Sequence, residues 1–490
     1  MTEPRRPIRL AELVASLSPA TDLGLGQPQE HVLRQTVPAT RLATAAGLSD
    51  ADRAAAYYVS PLAWVGCVAD SPQMARWFGD ALRIRADSYR IDKTGLPMLT
   101  FLLGHLAATG SPLHRISVAS RFLADIAERL ELPAAVRTAL PQAFERWDGH
   151  GVPSGLRGDG IIPVMRVVHI ADDAEVHARM GGVEAAVRML RSRSGTEFDP
   201  ELVELCVRDD GALLDGLDRV DAWQHVIDGC AALDRPLPET ELTDVLTVFA
   251  DYADAKATWF LGHSRAVADL AAAAAREYGL PADQVTTLRR AGLVCRLGTI
   301  GVSTGFWNKP GPLTASERER MVPYLTERVL ARSPHLAVLA GPAAMVYERM
   351  DGSGYPRGLT GSMLPPTARL LGAAQMARAL AEDRPHRRAA DPDERARILR
   401  AEVTAGGSTV TPSRRCRPPP RAAGHASGPR SRGSPRAATS STSTPRSGCT
   451  AVARPRCSRC ATVCCRTRIN PRRSGDHPMS DRCVGPTLPR

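Results

Sequence analysis

Residues 145–172 read ERWDGHGVPSGLRGDGIIPVMRVVHIAD, and residues 348–375 read ERMDGSGYPRGLTGSMLPPTARLLGAAQ. The two align without a gap, pairing Asp148 with Asp351, Gly151 with Gly354, Pro153 with Pro356, Gly158 with Gly361 and Arg166 with Arg369. Glycine and proline at matched positions predict the same turn twice. The register continues into the segment that follows, so turn chemistry alone does not account for it. So long a period is foreign to solenoids and predicts duplication of a whole domain. The body of the chain therefore reads as two related halves.

Working outward, most of the body has helical periodicity. Ser49-Asp50 precedes an apolar-periodic stretch through Tyr57, Leu62 and Val65, and Thr240-Glu241 opens another with Val245, Leu246 and Phe249 on one face. Val267, Leu270, Ala271, Ala274 and Tyr278 repeat at helical spacing and stop at Gly279. Thr314 to Glu317 has the pattern of a capping box. Alternating strand patterns are scarce, so the expected fold class is mainly α: two tandem helical domains, 1–235 and 236–400, then a disordered tail, 401–490. The first boundary rests on Leu233–Pro238, where proline and charge interrupt the helical pattern.

The 43% hydrophobic content suffices for sizeable cores and excludes wholesale disorder. The net charge of +11 looks like a nucleic-acid signal until it is divided. Residues 407–490 hold 17 Arg against Asp476 and Asp481, a net of +15, which leaves 1–406 at −4. Seven of the eleven cysteines also fall in that last stretch. The body keeps only Cys67, Cys206, Cys230 and Cys295, as expected of a reduced cytosolic protein. The tail lacks Phe, Trp, Tyr, Glu, Lys and Gln. Three readings stand: an Arg-rich nucleic-acid arm, a zinc site around Cys457, Cys460, Cys464 and Cys465, and a shifted reading frame of a GC-rich gene. Composition favours the shifted frame. No apolar run is long enough to span a bilayer, and the first residues lack a signal-peptide pattern, so no membrane partner and a cytoplasmic location are expected.

The second half resembles the HD-GYP family of metal-dependent phosphohydrolases across roughly residues 240–390. The carrying segments are GHS at 262–264, LRRAGLVCRLGTIGV at 288–302, NKPGPL at 308–313, DGSGYP at 351–356 and DRPH at 383–386, all in the family's order and spacing. The first half looks like a more divergent relative, clearest at Glu145–Asp172. The resemblance implies a helical fold, a centre of divalent metals such as iron or manganese, and hydrolysis of phosphodiesters such as cyclic di-GMP. In that chemistry metals bind phosphate oxygens and lower the pKa of a bridging water. Proteins of this tandem type often end in a LuxR-type helix-turn-helix, which this tail does not show.

Carried over residue by residue, the resemblance makes His263 the early ligand histidine. The His-Asp pair falls on Cys295 and Arg296, the lysine that follows on Thr299, a later histidine on Val322, paired histidines on Val346 and Tyr347, and the late aspartate on Gln375. An arginine in place of a bridging carboxylate repels a dication by about 4 kcal/mol per unit-charge contact at ~4 Å and an effective dielectric of ~20. The second half is therefore expected to be metal-free. In the first half His31 matches the early histidine, Asp70 stands for the HD aspartate, Val68 sits where a histidine would be expected, and Asp172 matches the late aspartate, while Ala143-Phe144 replaces the paired histidines.

The remaining motif residues each have two readings. His263 is a ligand or a polar residue at a helix start, and Asp148 and Asp351 are turn residues or recognise a ligand. In the GYP motif, Asp351, Gly352, Gly354, Tyr355 and Pro356, the tyrosine packs beneath the turn or meets a signalling partner. Lys309 is a solvated turn residue or a phosphate contact, and Arg265, Arg289 and Arg290 make salt bridges or bind a nucleotide phosphate. The expectation is a catalytically degenerate HD-GYP-like protein, a pseudoenzyme acting as sensory or scaffold module with a cyclic dinucleotide as its ligand class. Two alternatives stay open: an active phosphohydrolase using His31, Asp70 and Asp172, and a transcription regulator binding nucleic acid only if a C-terminal helix-turn-helix is restored.

Overall fold

Helix ends follow local sequence. Ser49 accepts a hydrogen bond from the Asp52 amide and opens the helix Asp50–Leu62. Gly279, at φ 84°, closes His263–Tyr278 in the left-handed conformation that glycine tolerates without a Cβ clash. The computed structural model describes residues 7–72, 75, 82, 89, 113–232, 235–311, 314 and 323–406. Val322, most of the capping-box segment 314–317 and the stretch 407–490 lie outside the described residues.

In chain order the described helices are α1 (Leu10–Ser16), α2 (Ser18–Leu25), α3 (His31–Arg34), α4 (Thr36–Ala45), α5 (Asp50–Leu62), α6 (Leu113–Arg129), α7 (Ala134–Ala139), α8 (Pro163–Arg193), α9 (Pro200–Val207) and α10 (Ala222–Gly229). There follow α11 (Leu242–Asp254), α12 (His263–Tyr278), α13 (Ala282–Val294), α14 (Thr304–Trp307), α15 (Pro323–Leu330), α16 (Pro334–Ala344), α17 (Pro366–Leu380) and α18 (Pro392–Thr404). Among the described residues the only strands are β1 (Ile8–Arg9) and β2 (Pro236–Leu237), paired antiparallel with Ile8 opposite Leu237. The mainly helical expectation holds. The start of the tail moves: residues 401–404 complete α18, where Glu402 forms an ion pair with Arg349.

The described residues form one compact unit. One core cluster runs through it, holding Leu13, Leu62 and Val168 of the first half together with Phe249, Leu293 and Leu371 of the second. The contact is closest around α2. Its Gly24 faces Ile300 and Val68, where a Cβ would lie 3.0 Å and 3.3 Å from side-chain methyls, and Thr21 Oγ1 lies 3.1 Å from the Tyr252 hydroxyl. Each half places a short 3-10 turn at this contact, Val65–Val68 and Leu297–Gly301.

The repeated turns have the same internal bonding. Glu145 receives the amides of Ser154 and Leu156 at 2.8 and 2.9 Å, and Glu348 those of Arg357 and Leu359 at 2.7 and 2.9 Å. Asp148 Oδ1 accepts from the His150 amide, and Asp351 Oδ1 from the Ser353 amide, two residues on in each case. These are side-chain turns, the reading that makes both aspartates structural. Burial opposes the Asp148 charge, yet hydrogen bonds from Arg146 and the His150 amide outweigh it and bring the carboxyl down to about 2. Gly151 and Gly354 sit where a Cβ would run into the backbone of Glu145-Arg146 and of Glu348-Arg349. Gly354→Ala is expected to destabilise the protein by about 2–3 kcal/mol through overpacking, read as a lower urea midpoint. A shift below ~0.5 kcal/mol would show that the turn yields.

Candidate functional site

His263 is the first residue of α12 and is fully buried. Its Nδ1 lies 2.7 Å from Glu382 Oε2 and its Nε2 2.6 Å from the Gln375 side-chain amide, which also reaches the Tyr347 hydroxyl at 3.3 Å. Burial pushes the imidazole down to about 4; Glu382 opposes this, and Arg296 and Arg384 add to it. A neutral ring donates from Nδ1 to Glu382. With the Gln375 amide turned so that its NH2 faces the ring, Nε2 accepts, and the amide oxygen accepts from Tyr347. Both ring nitrogens of His263 are thus already engaged.

His31 occupies the equivalent place in the first half. It is buried at the start of α3, with Nε2 3.0 Å from Asp172 and Nδ1 2.6 Å from Glu175. Here both partners are carboxylates. Burial opposes the charge, but the hydrogen bonds to Asp172 and Glu175 outweigh it and raise the ring to about 10. The Tyr89 hydroxyl donates to Asp172 Oδ2 at 3.1 Å. The two equivalent histidines therefore differ in charge: two carboxylates hold His31 protonated, and burial with Arg296 and Arg384 holds His263 neutral.

An aspartate precedes each histidine at the same spacing and receives the amide that follows it: Asp22 from Val32 at 3.0 Å and Asp254 from Ser264 at 2.8 Å. Burial pushes both carboxyls up to about 7, against His31 in one case and Arg296 in the other. The interval from Asp22 to Asp254 and from His31 to His263 also carries Ala63-Trp64 onto Cys295-Arg296, and Gly66 onto Gly298. In both halves this dipeptide directly precedes the 3-10 turn. The place of the HD aspartate in the first half is therefore Trp64, and the assignment to Asp70 is corrected. Asp70 lies past the 3-10 turn, level with Val302, and Val68 is level with Ile300. The error arises because His31 to Asp172 spans 141 residues and His263 to Gln375 only 112, so no single offset fits a half.

Arg296 is 2% exposed and lies flat on Phe260, its guanidinium carbon 3.5 Å from the ring centroid. Nε stands 3.9 Å from Asp254, and neither Nε nor Nη2 has a hydrogen-bond partner. Cys295 is buried beside it, and burial pushes its thiol up to about 12. Thr299 closes the same turn by donating to the Arg296 carbonyl at 2.6 Å. Val346 is core, and Tyr347 stacks on Tyr355 at 5.1 Å, so the GYP tyrosine packs against the turn's own base. Arg265, Arg289 and Arg290 pair with Asp251, Asp269 and Glu239. Lys309 is half-buried beside Asn308.

Residues 247–405 match the family model described as HD domain. Over that stretch the chain is similar to HD-domain phosphohydrolases. It is 27% identical over 414 residues to the 3′3′-cGAMP-specific phosphodiesterase 3 of Vibrio cholerae, covering 80% of this chain and 90% of that protein. Over 151 residues it is 32% identical to a cyclic di-GMP phosphodiesterase of Thermotoga maritima, 30% of this chain and 40% of the relative. The crystal structure of a cyclic GMP-AMP-specific phosphodiesterase of Vibrio cholerae superposes with a TM-score of 0.55 at 24% identity, covering 82% and 95% of the two chains, a likeness of fold. No helix among the described residues is long and apolar enough to cross a membrane.

HD-domain phosphohydrolases generally depend on divalent metals, and the residues present do not fit one. The position that the resemblance gives to the bridging carboxylate holds a guanidinium, Arg296, in the second half, and its counterpart in the first half holds the indole of Trp64. Both nitrogens of each histidine are taken by partners on α8 or on the α17 end. Among the described residues no group of three His, Cys, Asp or Glu side chains is disposed around a metal position. Sequence reading missed Glu145 and Glu348, Asp22 and Asp254, and the partners Glu175 and Glu382. The first two pairs carry a signal, since each glutamate and each aspartate recurs in register in the other half.

Proposed function

We propose that this chain is a catalytically degenerate HD-GYP-type protein that binds a cyclic dinucleotide without hydrolysing it and acts as a sensory or scaffold module in the cytoplasm. Arg296 in the seat of the bridging carboxylate carries this reading. Metal-assisted hydrolysis needs a cation held by anionic ligands and a water whose pKa it lowers, and a fixed guanidinium excludes the first and does nothing for the second. Residues 1–235 and 236–400 are read as products of a tandem duplication, with the turn around Tyr355 as the surface offered to signalling partners. Lys309 is assigned as a phosphate contact at the rim.

The likeness to cyclic di-GMP and 3′3′-cGAMP phosphodiesterases supports the ligand class. The test combines metal analysis of the purified chain with product assays on both dinucleotides in the presence of Mn²⁺ or Fe²⁺. The expected result is far less than one metal per chain and no product above buffer. Stoichiometric metal together with linear product formation would overturn the reading.

A further inference from the structure

Arg296 is not alone. The guanidinium of Arg384 lies against the same aromatic group, 4.4 Å from the Trp259 centroid and 5.0 Å from that of Phe260. Its side chain is 6% exposed. Nη2 donates to Glu382 at 2.8 Å, while Nη1 has no hydrogen-bond partner. Two buried guanidiniums thus share one aromatic wall and present three unpaired nitrogens, Nε and Nη2 of Arg296 and Nη1 of Arg384. Burial, with Arg296 next in weight, pushes Arg384 down to about 10.

The local carboxylates do not balance these charges. Glu382 serves three groups at once: His263, Arg378 at 2.5 Å and Arg384. Asp254 is spent on the Ser264 amide and hydroxyl, and burial pushes its carboxyl up to about 7. Three guanidiniums, Arg296, Arg378 and Arg384, therefore share two carboxylates, Glu382 and Asp254, that are already engaged by other groups. Uncompensated buried charge is costly, and the usual relief is a bound counter-ion with oxygens that accept from the fork. Stacking on Trp259 and Phe260 fixes the guanidinium planes, so little order is lost when an anion arrives. Trp259, half-buried, reaches the exposed Asn308, with its Nε1 3.3 Å from Oδ1.

We infer that Arg296 and Arg384, backed by Trp259 and Phe260, form a phosphate-anion receptor in the second half, at the position where the family keeps its metals. The ligand class is a phosphodiester or phosphate group, which the two forks grip by charge-assisted hydrogen bonds. The inference deepens the non-catalytic reading above and rests on it: arginine supplies the cationic grip of a metal cluster without its power to ionise water. Binding and hydrolysis are thereby separated.

The experiment titrates the full chain with cyclic di-GMP, 3′3′-cGAMP and inorganic phosphate, followed by tryptophan fluorescence and calorimetry. Wild-type protein is expected to bind at least one probe, with a nucleotide preference marking a dinucleotide site and equal weak binding marking a plain phosphate site. Arg384→Gln is expected to weaken binding roughly 10- to 100-fold, the loss of one buried charged hydrogen-bonding group. Arg384→Lys, which keeps the charge and loses the fork, should fall between the two. Arg296→Met tests the deeper partner, and should it fail to fold, the Arg384 pair still decides. Equal affinity of wild type and Arg384→Gln, or no binding of any probe to wild type, overturns the inference. Turnover of a probe overturns the non-catalytic reading instead, and the two failures are distinct.

Discussion

Replacing His31 with alanine is expected to destabilise the protein by about 3–5 kcal/mol, the cost of breaking a buried ion pair and leaving its carboxylates behind. Asp172 is 5% exposed and Glu175 is fully buried. Arg179 and Arg34 stay near Glu175, and Tyr89 stays on Asp172, which keeps the loss within that range. His31→Gln, with one amide donor, should recover part of the loss. The pH dependence has a definite sign. The folded ring titrates at about 10 against an ordinary 6.5, so its contribution is complete below pH 6.5 and is lost as pH rises through 10. Urea midpoints of wild type and His31→Ala should therefore be furthest apart near pH 6 and converge between pH 7 and 10. A constant gap across that range would mean that the ring is neutral when folded.

Glu348→Ala is expected to cost a similar amount, about 3–5 kcal/mol, for a different reason. The carboxylate, 8% exposed, holds the Arg357 and Leu359 amides across the DGSGYP turn. Each is a hydrogen bond to a charged group worth about 1.5–3 kcal/mol, and removal leaves two amides without their acceptor. Glu348→Gln retains one acceptor oxygen and should lose roughly half as much. Loss of the turn would also release Tyr355 from Tyr347. The measurement is the equilibrium unfolding free energy, with near-ultraviolet circular dichroism reporting the tyrosine pair. A full-length Glu348→Ala protein as stable as wild type would show that Glu348 is a passenger of the turn.

Much of the fold was legible in one dimension. Ser49, Gly279 and the periodic stretches between them are short-range signals, and caps and stops act within a turn of the residue that carries them. The repeat at Glu145–Asp172 was legible because turn glycines and prolines tolerate few substitutes where a Cβ meets backbone, as at Gly151 and Gly354. The exchange of the HD pair for Cys295 and Arg296 was legible through the resemblance to the HD-GYP family. In the first half the same method failed. The longer connection between His31 and Asp172 shifted the register and put Asp70 in place of Trp64, which only the shared position before the 3-10 turn corrected.

By itself, the sequence determined what is local or periodic, the helices and the paired turns. The tertiary structure decided everything that depends on approach across the chain. Asp172 and Glu175, more than a hundred positions away, charge His31, whereas burial together with Arg296 and Arg384, from separate segments of the second half, keeps His263 neutral. A residue's protonation state follows from the dielectric and charges around it, and those are set by packing. The same holds for Arg296: its identity is written in the sequence, but that it is buried, stacked on Phe260 and short of partners is a property of the folded interior alone.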